Sequence, residues 1–301
     1  MQPGRILLSC AVLVVLAFPA RAAPDEDLLG KAAGYPVGKP ANWFFDESVR
    51  VGSFSRLDSF LPYYTLRKAA SPLTLLKAAG EPKLSYRFEK QTYSLDDFLT
   101  HQRVTGLLVI KDGQILAERY QYDRTATDRF VSHSMAKSIV SLAIGMALTE
   151  KKIASLDDTV AKYVPDLADN PYGETTIRNI LRMASGVPFK EVYDGNDDNS
   201  KFNRIRLTRD SVTALRAFST REVEQGTQFH YASNQTVVLT LLLRAVTGTS
   251  LSEYLTPRLW QPMGAEADAT WIKTRDVTET GSGNFQRYPA RLWPAWNPAR
   301  Q

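Results

Sequence analysis

The chain has a single cysteine, Cys10, among 301 residues, and it lies near the N-terminus within a largely apolar leader. If that leader is removed, the body has no thiol. Disulfides, thiolate metal sites and cysteine nucleophiles are then excluded. Histidine is nearly as scarce: His101, His133 and His230 stand alone, and none has the spacing of a metal ligand. No glycine-rich loop of the kind that cradles phosphate is present, so no metal or cofactor is expected. Formal charge is only +5, and the lysines and arginines are scattered. Without a basic run or aromatic–basic alternation, nucleic acid is not an expected partner. No apolar run reaches the roughly 20 residues of a membrane span, so stable insertion is not expected. Internal repeats and low-complexity tracts are also missing.

What is present begins with an address. Residues 1–22 read as a signal peptide: Arg5 is the basic segment, Ile6 to Phe18 the apolar core, and Ala20-Arg21-Ala22 a small-x-small cleavage site. Leu7-Leu8-Ser9-Cys10 looks superficially like a lipoprotein box but precedes the apolar core, which makes lipid anchoring the weaker reading. Export without disulfides suits a bacterial periplasmic protein.

Ser134-Met135-Ala136-Lys137 is the only Ser-x-x-Lys in the chain, and a long run rich in apolar and small residues follows it. Residues three apart share a helical face, so a helix starting here puts the Lys137 amine beside the Ser134 hydroxyl. A serine needs such an adjacent base to become a nucleophile. The helix start also offers N–H groups and a positive dipole end to an oxyanion. On the tetrapeptide alone, a capping serine with a solvated lysine is the commoner reading.

Three further segments change that balance. Residues Phe130 to Ser138 resemble the nucleophile segment of the serine β-lactamase and penicillin-recognising family. Ile180 to Val187 resemble its Ser-Gly turn, and Gly226 to Asn234 its glycine-x-x-phenylalanine-x-tyrosine segment, in the same order. Within that family the chain is most similar to the 6-aminohexanoate-dimer hydrolase branch, supported by Phe189-Lys190-Glu191-Val192-Tyr193. The resemblance runs from about Val104 to Trp271. It implies a catalytic set of Ser134, Lys137 and Tyr231, the tyrosine shuttling protons between nucleophile, lysine and leaving group. It also implies substrate contacts from Tyr193, Ser233 and Asn234. Class C β-lactamases carry asparagine two residues after the tyrosine, where this chain has Ser233; that departure weighs against β-lactam substrates.

The expected fold is α/β (α+β): an antiparallel sheet flanked by helices, with a mainly helical insertion. Val104 to Ile110 and Gln114 to Tyr120 form a predicted hairpin about Lys111-Asp112-Gly113. Met135 to Lys151 is a predicted buried helix in which Gly145 permits close packing. Thr176 to Met183 and Gln235 to Val246 are further helices, the latter stopping at Thr247-Gly248. The polar stretch 190–206 reads as a solvated loop or a lip of the cleft.

Residues 23–100 read as an extended N-terminal arm, 101–285 as the hydrolase domain, and 286–301 as an aberrant tail rich in Pro, Trp and Arg. Lys273-Thr274-Arg275 lies too close to Tyr231 and lacks the glycine needed to count as the family's third motif. The expectation is therefore a domain lacking its last strands, with a one-nucleotide frameshift after Phe285 as one explanation. Such a product is expected to be poorly soluble and weakly active.

The expected function is an exported serine hydrolase acting on a small-molecule amide or ester through an acyl-serine intermediate, including linear oligoamides. A carboxylesterase, a β-lactam- or peptidoglycan-related hydrolase, and a non-catalytic ligand-binding relative stand as alternatives. The sequence leaves the oligomeric state open.

Overall fold

A computed structural model describes residues 22–288. The signal segment, apart from its last residue, and positions 289–301 of the tail lie outside the described residues. Along the arm, the Asp46 carboxylate accepts from Ser48 N and starts helix α1 (Glu47–Ser55). Strands β1 (Tyr63–Leu66) and β2 (Leu76–Lys77) follow, then the hairpin β3 (Ser85–Phe88) and β4 (Gln91–Ser94). Ser94 and Asp97 form a capping box that opens α2 (Leu95–His101). The segment expected as an irregular arm thus contributes two helices and four strands. Its prolines sit in the turns, and the elements between them are too short to show a clear period.

The predicted hairpin is β5 (Gly106–Lys111) and β6 (Gln114–Tyr120), antiparallel, with Asp112 and Gly113 at φ 51° and 75° in the two-residue turn. Both central residues in left-handed conformation is the geometry that matches strand twist. A short strand β7 (Phe130–Val131) leads to a 3₁₀ turn over His133–Met135 and then to α3 (Ala136–Thr149). Ala136, Val140, Ala143, Ile144 and Ala147 recur at helical spacing and are all buried, which defines the inner face of α3. Gly145 lies on the opposite, exposed side with nothing within 4 Å of an added Cβ. The expected packing role of that glycine is therefore corrected.

Four shorter helices build the insertion: α4 (Pro171–Glu174), α5 (Ile177–Leu181), α6 (Asp198–Thr208) and α7 (Ser211–Arg216). Thr176 caps α5 by accepting from Asn179 N. The stretch expected as a solvated loop becomes α6 from Asp198 onward. Asp197 caps it through Ser200 N, and Phe202 and Arg206 face inward. Helix α8 (Ser233–Thr247) runs through the core and ends on Gly248 at φ 70°. After α9 (Leu251–Leu255) come β8 (Ala269–Ile272) and β9 (Phe285–Arg287).

Two main sheets result. One has the order β1-β8-β9-β7, every pair antiparallel, so the N-terminal arm is hydrogen-bonded to the end of the described chain. The other has the order β2-β6-β5. The core lies between the first sheet and helices α3 and α8, where Trp271 and Phe285 are fully buried with ring centroids 4.9 Å apart. Gln286 and Arg287, placed in the aberrant tail by the sequence reading, pair with β7 as part of β9.

Candidate active site

Ser134 sits in the 3₁₀ turn that feeds α3, immediately after His133, a non-glycine residue held at φ 44°. That left-handed residue turns the chain sharply between β7 and the helix. It is fixed by Ser132 N donating to Phe285 O at 2.7 Å and by the His133 ring packing edge-on to Phe54 at 4.7 Å. A strained residue beside a candidate nucleophile is a common location for stored backbone strain. Burial, with a smaller contribution from Lys137, pushes the His133 pKa below the ordinary imidazole value.

The i, i+3 relation holds. Lys137 Nζ donates to Ser134 Oγ at 2.8 Å. From 97 residues away, Tyr231 OH donates to the same oxygen at 2.7 Å, and the ammonium lies 5.1 Å from the phenol ring centroid. Two donors from two stretches of sequence thus converge on one hydroxyl oxygen. Each distance lies within the range that proton transfer requires.

Sequence reading missed the fourth participant. Lys137 Nζ also donates to the main-chain carbonyl of Ser282 at 2.8 Å. This carbonyl is aimed by a tight turn before β9, in which Trp271 Nε1 and Thr280 Oγ1 both donate to Gly283 O at 3.0 Å. Gly281 has to be glycine, since an added Cβ would stand 2.0 Å from Thr240 Oγ1 on α8. The Gly-Ser-Gly string was the available signal, but a carbonyl contact has no side-chain signature.

Glu191 was quoted in the sequence only as part of a motif. Its carboxylate accepts from Tyr193 OH at 2.7 Å, from Ser233 N at 2.7 Å and from Ser233 Oγ at 2.5 Å. Helix α8 has no cap from its own Ala232, so Glu191 supplies an anionic cap from a neighbouring segment. Tyr193 lies at the rim, exposed, with its pKa raised by burial, by Glu191 and by Tyr231. Its backbone at φ 60° is held by Tyr193 N and Val192 N, both donating to Asp197 Oδ2.

Of the three expected substrate contacts, Tyr193 stands beside the catalytic set, and Ser233 is largely buried and engaged by Glu191. Asn234 is corrected. It is fully buried on the inner face of α8, and its Nδ2 donates to Tyr172 OH at 2.6 Å. One residue past the helix start, the side chain points into the core rather than the cleft. His230 Nε2 is bonded to Phe189 O at 2.7 Å, and Lys273 lies over the Tyr64 ring. Among the described residues no three His, Cys, Asp or Glu side chains converge as a metal site, and no helix is long and apolar enough to cross a membrane.

With this geometry in place, comparisons add the ancestry. A β-lactamase family model matches residues 95–299. A 6-aminohexanoate-dimer hydrolase from Paenarthrobacter ureafaciens is 27% identical over 245 residues, which are 77% of this chain and 58% of the relative. Protein flp of Staphylococcus aureus is 26% identical over 186 residues, 56% of this chain and 36% of the relative. The chain therefore spans less than two thirds of the length of these relatives. A solved structure from Bacillus anthracis, described as a 6-aminohexanoate-dimer hydrolase, superposes with a TM-score of 0.73 at 19% identity. It covers 89% of this chain and 70% of that one, and the likeness identifies the fold as β-lactamase-like.

Proposed function

The chain belongs to the β-lactamase family, and from that premise we propose that it is an exported serine hydrolase cleaving amide or ester bonds through an acyl-serine intermediate. The observation that carries this reading is the convergence of Lys137 Nζ and Tyr231 OH on Ser134 Oγ, at 2.8 and 2.7 Å. Ser134 Oγ attacks the carbonyl carbon, and its proton passes into the Lys137–Tyr231 pair. The Ser134 N–H, at the start of the turn into α3, stabilises the developing oxyanion. Tyr231 returns a proton to the leaving amine or alcohol as the carbon–heteroatom bond breaks. Water then attacks the acyl-serine, gives its proton to the same pair, and releases the carboxylic acid and Ser134. A non-catalytic binding role is disfavoured because a ligand-binding surface has no use for a half-buried lysine bonded to a serine.

The relative named for 6-aminohexanoate dimer supports linear amides as a substrate class, and Ser233 in place of the β-lactamase asparagine supports the same ordering. A basic-apolar-small segment at Met1–Ala22 supports export to the periplasm. A fluorophosphonate probe tests the core of the reading: it labels the wild-type chain and leaves Ser134→Ala unlabelled. Equal labelling of both would remove Ser134 as the nucleophile. Nitrocefin turnover far above that of short esters and linear amides would reverse the substrate ordering.

A further inference from the structure

The N-terminal segment that precedes the family match carries three consecutive aromatic residues, Trp43-Phe44-Phe45. Phe44 reaches the residue that precedes the candidate nucleophile. Phe44 packs edge-on to the His133 ring at 6.2 Å and lies 6.2 Å from the Tyr193 ring. Tyr193 OH in turn donates to Glu191, whose carboxylate also holds Ser233, two residues after Tyr231; the Tyr231 hydroxyl is bonded to Ser134 Oγ. Phe44 therefore stands in a circuit that runs from His133, the chain neighbour of Ser134, through Tyr193 and Glu191 to the segment carrying Tyr231.

Phe45 extends this circuit outward. Its ring meets Phe44 at 5.0 Å, edge to face, and its Cζ lies 3.9 Å from where a Cβ on Gly195 of the lip would stand. The ring is nevertheless 53% exposed. The turn that presents it is rigidly built. Arg50 Nε donates to Phe44 O at 3.1 Å and Arg50 NH2 donates to Phe45 O at 3.3 Å, while Asn42 Nδ2 donates to the capping carboxylate of Asp46 at 3.0 Å. Phe45 is a large ring held in water one ring contact beyond Phe44, and the two together offer an apolar surface on the His133 side of the candidate site. The charged side chains bonded to this wall are already engaged, Arg50 by the two carbonyls and by Glu47, Glu191 by Tyr193 and Ser233.

We propose that Phe44 and Phe45 are specificity-determining residues that receive an uncharged alkyl chain of the substrate, on the His133 side of Ser134. The inference rests on the hydrolase reading and adds to it the chemistry of one substrate arm. Apolar side chains in this position reward each added methylene, and one methylene in an apolar site is worth roughly tenfold or more in discrimination.

The test compares kcat/KM for p-nitrophenyl hexanoate and p-nitrophenyl acetate, with Ser134→Ala as the blank. The wild-type chain favours hexanoate by about tenfold or more. Phe45→Ala, at an exposed ring, lowers that ratio at least severalfold, Phe44→Ala lowers it further, and Phe45→Leu restores it. Cooperative melting of each variant verifies folding, and Phe45→Ala alone suffices if Phe44→Ala fails to fold. Ser134-dependent hydrolysis with the same ratio in every folded variant overturns the wall and leaves the hydrolase reading standing. Absence of any Ser134-dependent turnover overturns both.

Discussion

The hydroxyl oxygen of Ser134 accepts from Tyr231 OH at 2.7 Å while also accepting from Lys137 Nζ at 2.8 Å. Two donors on one acceptor leave the serine's own proton with no role in holding the site together. Attack requires one donor to become an acceptor, and Tyr231 is the one that also reaches outward, being exposed at the cleft. Tyr231→Phe keeps the ring and removes that route. Loss of a positioned proton carrier costs about 100- to 10,000-fold. The variant is expected to melt like the wild type and to lose turnover by that factor in single-turnover acylation measurements.

Lys137→Met deletes the ammonium and leaves an unbranched side chain of similar length. Turnover is expected to fall at least as far as in Tyr231→Phe. The double variant is expected to lose little more than either single one, because the residues act as a unit. Rate constants for the three variants on one ester settle this, and full additivity would separate their roles.

Glu191→Ala removes the cap of α8 and the partner of Tyr193 together. A lost cap or charge-assisted hydrogen bond costs about 1–2 kcal/mol. Lower denaturation midpoints are expected for Glu191→Ala, with Glu191→Gln intermediate. Urea titrations with unchanged slope provide the measurement.

The reach of the sequence was uneven for physical reasons. Ser134 and Lys137 were legible because a three-residue spacing fixes proximity locally, and the Asp112-Gly113 turn and the Gly248 stop were legible because left-handed positions select those residues. The pairing of Tyr63–Leu66 with Ala269–Ile272 was not, since register across some two hundred residues leaves no local mark. Helix α6 was hidden by its Asp, Asn, Lys and Arg content, which masks an inward face of Phe202, Ile205 and Arg206. Asn234 was misplaced because homology to a motif says which residue follows the tyrosine, not that the helix turns it into the core. Ser282 was invisible as a site residue because the chemistry uses its backbone.

His133 gives a pH dependence of known sign. Its pKa is depressed in the folded chain, by burial first and then by Lys137. The unfolded chain therefore binds more protons, and the contribution is fully present above about 6.5 and is lost as pH falls through the folded value. His133→Asn suits the left-handed backbone. Its melting temperature is expected to fall less than that of the wild type on moving from pH 7.5 to 5.5.

Glu279 has the opposite sign. It is buried, its Oε1 accepts from Ser252 N at 2.8 Å, and burial raises its pKa above 4.5. The folded state holds the proton more tightly, so its stabilising contribution is present below about 4.5 and is lost as pH rises. Glu279→Gln keeps an acceptor for Ser252 N and removes the charge. The melting temperature of the variant relative to wild type is expected to rise between pH 4.5 and pH 8; a constant difference would show that Glu279 titrates alike in the folded and unfolded chain.

The carbonyl that holds Lys137 belongs to a residue 145 positions later in the chain. At synthesis rates of about 5–20 residues per second, roughly 7–30 s separate the emergence of the two. During that interval Ser134 is an ordinary seryl hydroxyl next to an unplaced ammonium. Wherever the chain folds, Lys137 is set beside Ser134 only once β9 has closed on β7.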